Sequence, residues 1–131
     1  MLVDDLGQFL IDSGIAKGFG NDLFLSYIPQ DPDNVIVLTE YNGLPSGMGI
    51  SAVTRNVQIK VRNLDYVTGN SICWQIFNLF IQGENQDFIL DINPNRFIIA
   101  SALNSPTPLM LDDRDRQEFV FNLQFTTNRD V

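Results

Sequence analysis

The sequence predicts an α+β fold: a mostly antiparallel sheet of four to six strands, with an N-terminal helix and a central helix packed on it. Two stretches space their apolar residues like one helical face, and several shorter stretches alternate apolar and polar residues as strands do. With 131 residues the chain has the size of one domain, so residues 1–131 are expected to form a single unit. A hydrophobic content of 44%, including ten Phe, is enough to fill one core.

Two helices follow from this spacing. The first is predicted over residues 2–17, where apolar side chains share one face, and Gly18 and Gly20 are expected to end it. The second is predicted over residues 65–82 and is apolar over more than half its circumference. Such a helix needs cover on more than one side, from its own sheet and from another subunit.

Strands are predicted from β-branched and alternating stretches. They lie at residues 23–28, 35–41, 57–62, 88–92, 96–103 and 118–126. The stretch 42–49 contains three Gly and one Pro, which predicts a loop. The strands on either side of this loop are expected to pair as a hairpin.

Composition excludes several classes of function. The chain contains no His, which removes the central group of Ser-His-Asp and Cys-His catalysis and of His-containing zinc sites. Its single Cys73 cannot form an intramolecular disulfide and is expected to be a buried apolar residue. Sixteen acidic and eight basic residues give a net charge of −8, which disfavours binding to nucleic acid phosphates. Since no apolar run reaches membrane length, we expect an intracellular protein without a membrane segment or secretion signal.

The glycine-rich stretch 42–49 is the first candidate site. It lacks the Gly-Lys-Ser/Thr of a P-loop and the third Gly of a dinucleotide fingerprint, so phosphate binding is disfavoured. Two interpretations stay open. The stretch is either a simple hairpin connection or a loop that a partner orders through Gly43, Leu44, Pro45 and Met48.

Charge is distributed unevenly along the chain. Residues 1–34 hold six Asp and one Lys, whereas residues 53–64 hold Arg55, Lys60 and Arg62 and no acid. Such runs are usually solvated faces. The alternative is a head-to-tail contact between copies, in which the basic strand of one subunit meets the acidic part of the next and a ring closes.

Several segments together carry a family resemblance. A strand leads into Asn42-Gly43-Leu44-Pro45, a second strand covers residues 55–62, and Asp65-Tyr66 opens an amphipathic helix. The chain then ends with a strand over residues 116–123. This order resembles the minor capsid or tail terminator proteins of long-tailed bacteriophages, and the similarity covers most of the chain.

The resemblance implies a structural protein and not an enzyme, and it implies no cofactor. The subunit would form a homo-oligomeric ring, a hexamer, on the head-proximal end of the tail tube. There it would stop polymerisation of the tube protein and contact the head-closure or connector protein, with DNA passing through the lumen without specific binding. It would belong to the virion tail or neck and assemble in the host cytoplasm. Its expected interface groups are the glycine-rich loop, the basic strand residues, and Asp4 and Asp5 of the first helix.

Two other classes of function stay open from the residues themselves. An acidic soluble binding module, such as a DNA mimic or an adaptor, would act on a basic protein partner through its negative surface. A metal-carboxylate enzyme would use Asp112, Asp113 and Asp115, because carboxylates alone can bind Ca²⁺ or Mg²⁺. Those residues do not follow the calcium-loop pattern, so solvated turns are the favoured interpretation of this cluster.

Overall fold

The computed structural model describes residues 1–45, 52–82, 88–94 and 96–128. Its elements are α1 (Leu2–Asp12), β1 (Leu23–Leu25), β2 (Val35–Pro45), β3 (Ala52–Asn63), α2 (Tyr66–Phe80), β4 (Phe88–Asn93), β5 (Arg96–Ala102), β6 (Thr107–Pro108) and β7 (Gln117–Asn128). Within this part of the chain one sheet has the order β1-β2-β3-β7-β5-β4, and the two-residue β6 pairs with β7 as a seventh strand. The predicted α+β fold with its N-terminal and central helices is confirmed.

The sheet is antiparallel except for one pair. β2 and β3 form the predicted hairpin, and β3 pairs with β7 from Ala52 opposite Asn128 to Asn63 opposite Gln117 without a register shift. β1 runs parallel to β2, with Leu23 opposite Ile36. Because a parallel pair needs a crossover, residues 26–34 must return along the sheet from the end of β1 to the start of β2. We call these residues the crossover segment.

Both helices cover the same face of the sheet. The alternating residues of β2, β3 and β7 that face the helices belong to one buried cluster. That cluster includes Leu2, Leu6 and Leu10 of α1, Cys73, Ile76 and Phe80 of α2, and Phe119, Phe121, Leu123 and Phe125 of β7. α1 contacts β1 and β2 at one side of the sheet and β4 at the other. The sheet therefore curls around the helix layer.

The opposite face of the sheet carries no helix in the described part of the chain, and we call it the open face. Near β1 the open face holds a second, small cluster of buried residues, Phe24, Val35 and Val37. Tyr27 of the crossover segment contacts Phe24 of this cluster. Farther along, every second residue of β7 is only partly buried. These residues are mostly polar, as expected for a sheet face that meets solvent.

The central helix packs on β3 and β7. The side chain of Asp65 caps it by accepting a hydrogen bond from the Thr68 backbone N–H at 3.0 Å. The predicted burial of Cys73 is confirmed, and this burial raises the pKa of the thiol to about 12. Val67 and Trp74 remain exposed on the side away from the sheet. No helix in the described residues is long and apolar enough to span a membrane.

Two elements end earlier than the sequence predicts. α1 stops at Asp12 because Gly14 has a φ of +81°, so the chain leaves the helix there and not at Gly18. β1 stops at Leu25 because Ser26 has a φ of 69°, which is incompatible with an extended strand. In both cases a single residue in the left-handed region ends an element whose apolar pattern continues.

The predicted loop over residues 42–49 is wrong in its first half. Residues 42–45 belong to β2, where Gly43, Leu44 and Pro45 pair with Arg55, Thr54 and Val53 of β3. A bulge between Tyr41 and Gly43 accommodates Asn42, whose φ is 26°. Long antiparallel pairing thus outweighs the local preference of Gly and Pro for turns, and residues 46–49 lie outside the described part of the chain.

A substitution of Gly69 tests how closely the central helix packs on the sheet. A Cβ at this position would lie 2.8 Å from Cε2 of Phe119 and 3.0 Å from Cβ of Asn63. We predict that Gly69→Ala lowers the free energy of unfolding by about 1–2 kcal/mol, because the overlap outweighs the better helix propensity of Ala. The matched control, Asn78→Ala on the exposed side of α2, should change it by less than about 0.5 kcal/mol in the same urea titration. Equal stabilisation by both substitutions would contradict the close packing.

Candidate interaction surface

The basic residues of β3 lie in three different environments. Lys60 is on the open face, and its Nζ lies 3.8 Å from a carboxylate oxygen of Glu118 on β7. Arg55 lies near the hairpin end of β3 and donates from Nη2 to the Glu40 carboxylate at 2.6 Å. Arg62 is only 2% exposed. The three residues therefore do not form one basic surface, although they share a strand.

Arg62 binds its own chain. Its guanidinium donates to the backbone carbonyls of Pro29 at 2.8 Å, Pro32 at 2.7 Å and Asp33 at 3.0 Å, all in the crossover segment. Burial lowers the pKa of the Arg62 guanidinium, and the neighbouring Arg116 cation lowers that pKa further. A substitution of Arg62 would therefore disturb the fold before it tested any contact with a partner.

Arg116 is the second buried cation at this place, and sequence analysis did not single it out. Its Nε donates to the Asp112 carboxylate at 2.7 Å, and its Nη1 donates to the Gln30 carbonyl at 2.6 Å. Arg116 is 2% exposed, like Arg62. We call Arg62 and Arg116 together the arginine clamp, because both hold the crossover segment against the sheet.

The carboxylates near residue 112 take part in this local structure. Asp112 accepts hydrogen bonds from the backbone N–H groups of Arg114 and Arg116 as well as from the Arg116 side chain. Partial burial raises the pKa of Asp112, but these hydrogen bonds outweigh it and the net pKa lies below its ordinary value. Among the described residues, no group of three or more Asp, Glu or Cys side chains is placed to share a metal ion. Asp112, Asp113 and Asp115 lie in a turn, in which the Asp115 N–H donates to the Asp112 carbonyl at 3.1 Å.

The hairpin residues named from the sequence lie at the end of β2. A Cβ on Gly43 would lie 2.8 Å from the carbonyl oxygen of Thr54, so the close approach of the two strands requires glycine here. The backbones of Leu44 and Pro45 are paired with β3. Met48 lies outside the described residues.

Asp4 and Asp5 lie in the first turn of α1, where the helix dipole favours negative charge. Asp4 is exposed and lies at the rim of a groove of about 480 Å³ beside β1. The groove walls are mainly apolar and are formed by Phe19, Leu23, Phe24, Leu25 and Tyr27. We call it the β1 groove. It lies on the outermost strand of the sheet, so it is accessible to another protein.

A cluster of exposed apolar side chains lies beside β7, and we call Leu109, Met110 and Leu111 the apolar knob. All three are exposed, and Met110 is 88% exposed. The knob follows Pro108, which is opposite Phe119 in β7, and the Tyr66 ring also contacts Phe119 with centroids 5.1 Å apart. Contiguous exposed apolar side chains of this kind mark interaction sites.

Sequence analysis missed the knob, although a signal was present. Three consecutive large apolar residues stand between two prolines and an Asp-rich turn, in a segment without helical or strand periodicity. Such a run has no core face to occupy and is therefore expected at the surface. The ring of Tyr66 contacts Phe119, which is opposite Pro108 just before the knob, so only the fold brings this distant exposed side chain toward the same part of β7.

The chain is similar to a known protein family. The family model described as "Bacteriophage tail terminator protein" matches residues 9–129. The match extends over the last turn of α1, the central helix and every strand described above. No curated protein matches the chain.

The arginine clamp predicts that substitutions of Arg116 and of the neighbouring Arg114 differ strongly in their effect on the free energy of unfolding. Arg116→Ala should lower the free energy of unfolding by about 2–4 kcal/mol, because it leaves Asp112 and the Gln30 carbonyl without their partner. Arg114→Ala is the matched control, since Arg114 also bonds to Gln30 and its side chain is 47% exposed. Its effect should stay below about 0.5 kcal/mol in the same urea titration. Similar losses of unfolding free energy in both variants would show that buried Arg116 contributes no more to stability than exposed Arg114.

The clamp also predicts a pH dependence. The pKa of Asp112 is lower in the folded chain than its ordinary value of 3.8, so its carboxylate stabilises the fold above that pH and this contribution is lost as pH falls below it. Asp112→Asn should therefore be destabilising at pH 7, and the difference from wild type should shrink at about pH 3. Urea unfolding of both proteins at both pH values measures this. If Asp112→Asn lowers the free energy of unfolding equally at both pH values, packing and not charge explains the loss.

Proposed function

The chain belongs to the bacteriophage tail terminator protein family and is a structural component of the phage tail, and we propose that six copies form a ring on the head-proximal end of the tail tube. The ring stops polymerisation of the tube protein and joins the tail to the head-closure or connector protein. The family match over residues 9–129 is the observation that carries this proposal. The exposed apolar knob and the β1 groove support it, because a subunit that assembles needs such surfaces.

Charge supports a head-to-tail arrangement of the copies. Lys60 lies on the open face of the central sheet, while Asp4 and Asp5 lie on α1, which packs on the other face. Two copies can therefore meet with Lys60 of one near the acidic helix end of the next, and a contact between different surfaces closes a ring. Lys60 is the basic residue proposed for this contact, because Arg62 is buried in the clamp and the ion pair of Lys60 with Glu118 at 3.8 Å is longer than that of Arg55 with Glu40 at 2.6 Å.

The hairpin end is proposed to contact another tail or head protein. Gly43, Leu44 and Pro45 lie at the end of the sheet where Ala52 pairs with Asn128. The knob is anchored beside β7 near the opposite end, where Asn63 pairs with Gln117. A ring contact near the knob therefore leaves the hairpin end, followed in sequence by Met48, available for the tube protein or the head-closure protein.

Net charge fits the passage of DNA through such a ring. A subunit of charge −8 repels phosphates, whereas a basic lumen would bind them and slow the movement of DNA. In the proposed ring, DNA therefore passes through the lumen without specific binding. Its role is structural, and the proposal assigns no reaction and no cofactor to it.

Electron microscopy of tube assembly tests this proposal. The tail-tube protein polymerises in the presence and in the absence of this chain, and tube lengths and tube ends are compared. Shorter tubes that carry a ring of six subunits at one end would support termination. Unchanged lengths with bare ends would overturn the terminator role, and rings with another number of subunits would overturn the hexamer alone.

Charge reversal at Lys60 tests the electrostatic contact. Lys60→Glu should weaken ring formation by about 1 kcal/mol per contact, or roughly fivefold, since it places an acid near the acidic helix end of the next copy. Lys17→Glu is the matched control, because it gives the same net charge at an exposed residue outside β3. Native mass spectrometry at low and high salt measures the oligomer fraction. An equal loss in both variants would indicate general charge repulsion and contradict a specific role for Lys60.

A further inference from the structure

The crossover segment is attached to the rest of the subunit mainly through the arginine clamp. Arg62 donates to three backbone carbonyls of the segment at 2.7 to 3.0 Å, and Arg116 donates to a fourth at 2.6 Å. All four acceptors lie between residues 29 and 33. Two side chains that come from β3 and from just before β7 thus hold the middle of the segment.

The two ends of the segment are fixed in a different way. At its start, the Ser26 N–H donates to the Leu38 carbonyl at 2.9 Å, and within the described part of the chain residues 27–34 make no further backbone–backbone hydrogen bond. At its end, the Asn34 side-chain oxygen accepts a hydrogen bond from the Leu64 N–H at 3.0 Å. Seven residues therefore run between two anchored ends without the ladder of hydrogen bonds that stabilises a strand.

The side chains of the segment add little burial. Tyr27 and Ile28 are 59% and 47% exposed, although the Tyr27 ring contacts Phe24 with centroids 5.5 Å apart. Residues 26–34 are all described, and none of them belongs to either cluster of buried residues. A segment with few buried apolar contacts and few backbone hydrogen bonds belongs to the part of a fold that opens most easily.

The segment covers groups on the open face that would otherwise meet solvent. Arg62 and Arg116 are both 2% exposed, and Val35 is 3% exposed. Val35 is opposite Arg62 in the pairing of β2 with β3, so the two side chains lie next to each other on the same face. If the segment lifts, water replaces the carbonyls at both guanidinium groups, and the freed backbone gains conformational entropy. Opening therefore costs less free energy than unfolding of the sheet.

We propose that the crossover segment is a strap that opens as one unit between Ser26 and Asn34, while the sheet and both helices stay folded. The open form exposes Arg62, Arg116 and Val35, so it presents two cations beside an apolar residue. The closed subunit hides all three. The strap is thus a conformational device that controls access to this part of the open face, and it does not depend on the proposed ring.

Thiol labelling measures the opening. Val35→Cys places a thiol beneath the strap, and the native Cys73 lies in the main core under α2, where it reports unfolding of the whole subunit. Both thiols are in one molecule, and peptide mass spectrometry after treatment with N-ethylmaleimide gives a rate for each. The thiol at position 35 should react at least about tenfold faster than Cys73. Its rate should also rise less steeply with urea, because opening of the strap exposes less surface than global unfolding.

Ile36→Cys is the matched control for fraying of β2. Ile36 is the next residue of the same strand and is 4% exposed, but it belongs to the main core on the face that the helices cover. A thiol at position 36 should therefore react about as slowly as Cys73. Fast labelling at both positions 35 and 36 would assign the opening to the strand and overturn the strap.

Substitutions of the clamp provide a second measurement. Arg62→Lys, made together with Val35→Cys, keeps the charge but loses the planar group that reaches three carbonyls. It should speed up labelling at position 35 by about tenfold, whereas Arg114→Lys, at an exposed residue that also bonds to Gln30, should change it less than about twofold. Cleavage by chymotrypsin after Tyr27, within the strap, should increase in parallel.

Three results would overturn the strap. The first is an equal rate and an equal urea dependence for position 35 and Cys73, which would show that the segment opens only when the whole subunit unfolds. The second is an Arg62→Lys variant that labels no faster at position 35 than the Arg114→Lys variant. The third is an Arg62→Lys variant in which both thiols speed up by the same factor. If Arg62→Lys does not fold, the comparison of the three thiol positions with the clamp intact decides alone.

Discussion

The buried guanidinium group of Arg116 links the parts of this subunit that carry its proposed contacts. It holds Asp112, just after the apolar knob, and the Gln30 carbonyl in the crossover segment that also contains Tyr27 of the β1 groove. Arg62 holds the same segment through three further carbonyls. Two like charges are stable this close only because carbonyl oxygens and carboxylates satisfy both of them. The clamp therefore couples the geometry of the knob to the geometry of one groove wall.

The central strand pair makes this arrangement possible. β7 is last in the sequence but lies between β3 and β5, and its pairing with β3 continues without a register shift. The buried residues of β7 belong to the same cluster as those of both helices. The backbone of β7 also pairs with β6 and accepts a hydrogen bond from Leu109 at the start of the knob. Since a register shift of one residue would exchange the two faces of β7, the same pairing that builds the core also fixes which residues of β7 meet solvent.

A subunit of charge −8 that is proposed to assemble with copies of itself repels those copies wherever its acids are left unpaired. Two features of the structure lower this repulsion. Asp112, which follows the knob, is paired with Arg116 of the clamp, and the central helix contains no charged residue from Tyr66 to Phe80.

Sequence analysis correctly predicts the two helices, most strands and the burial of Cys73, because apolar periodicity is a local property that directly reflects one buried face. It also carried the family resemblance that the match over residues 9–129 confirmed. Which charged residues are accessible depends on contacts that form only in the folded chain. Arg62 and Lys60 look equivalent in an alternating strand, yet Arg62 binds a carbonyl 33 residues away and Arg116 binds one 86 residues away. No local pattern encodes such partners, since they meet only after distant strands have paired.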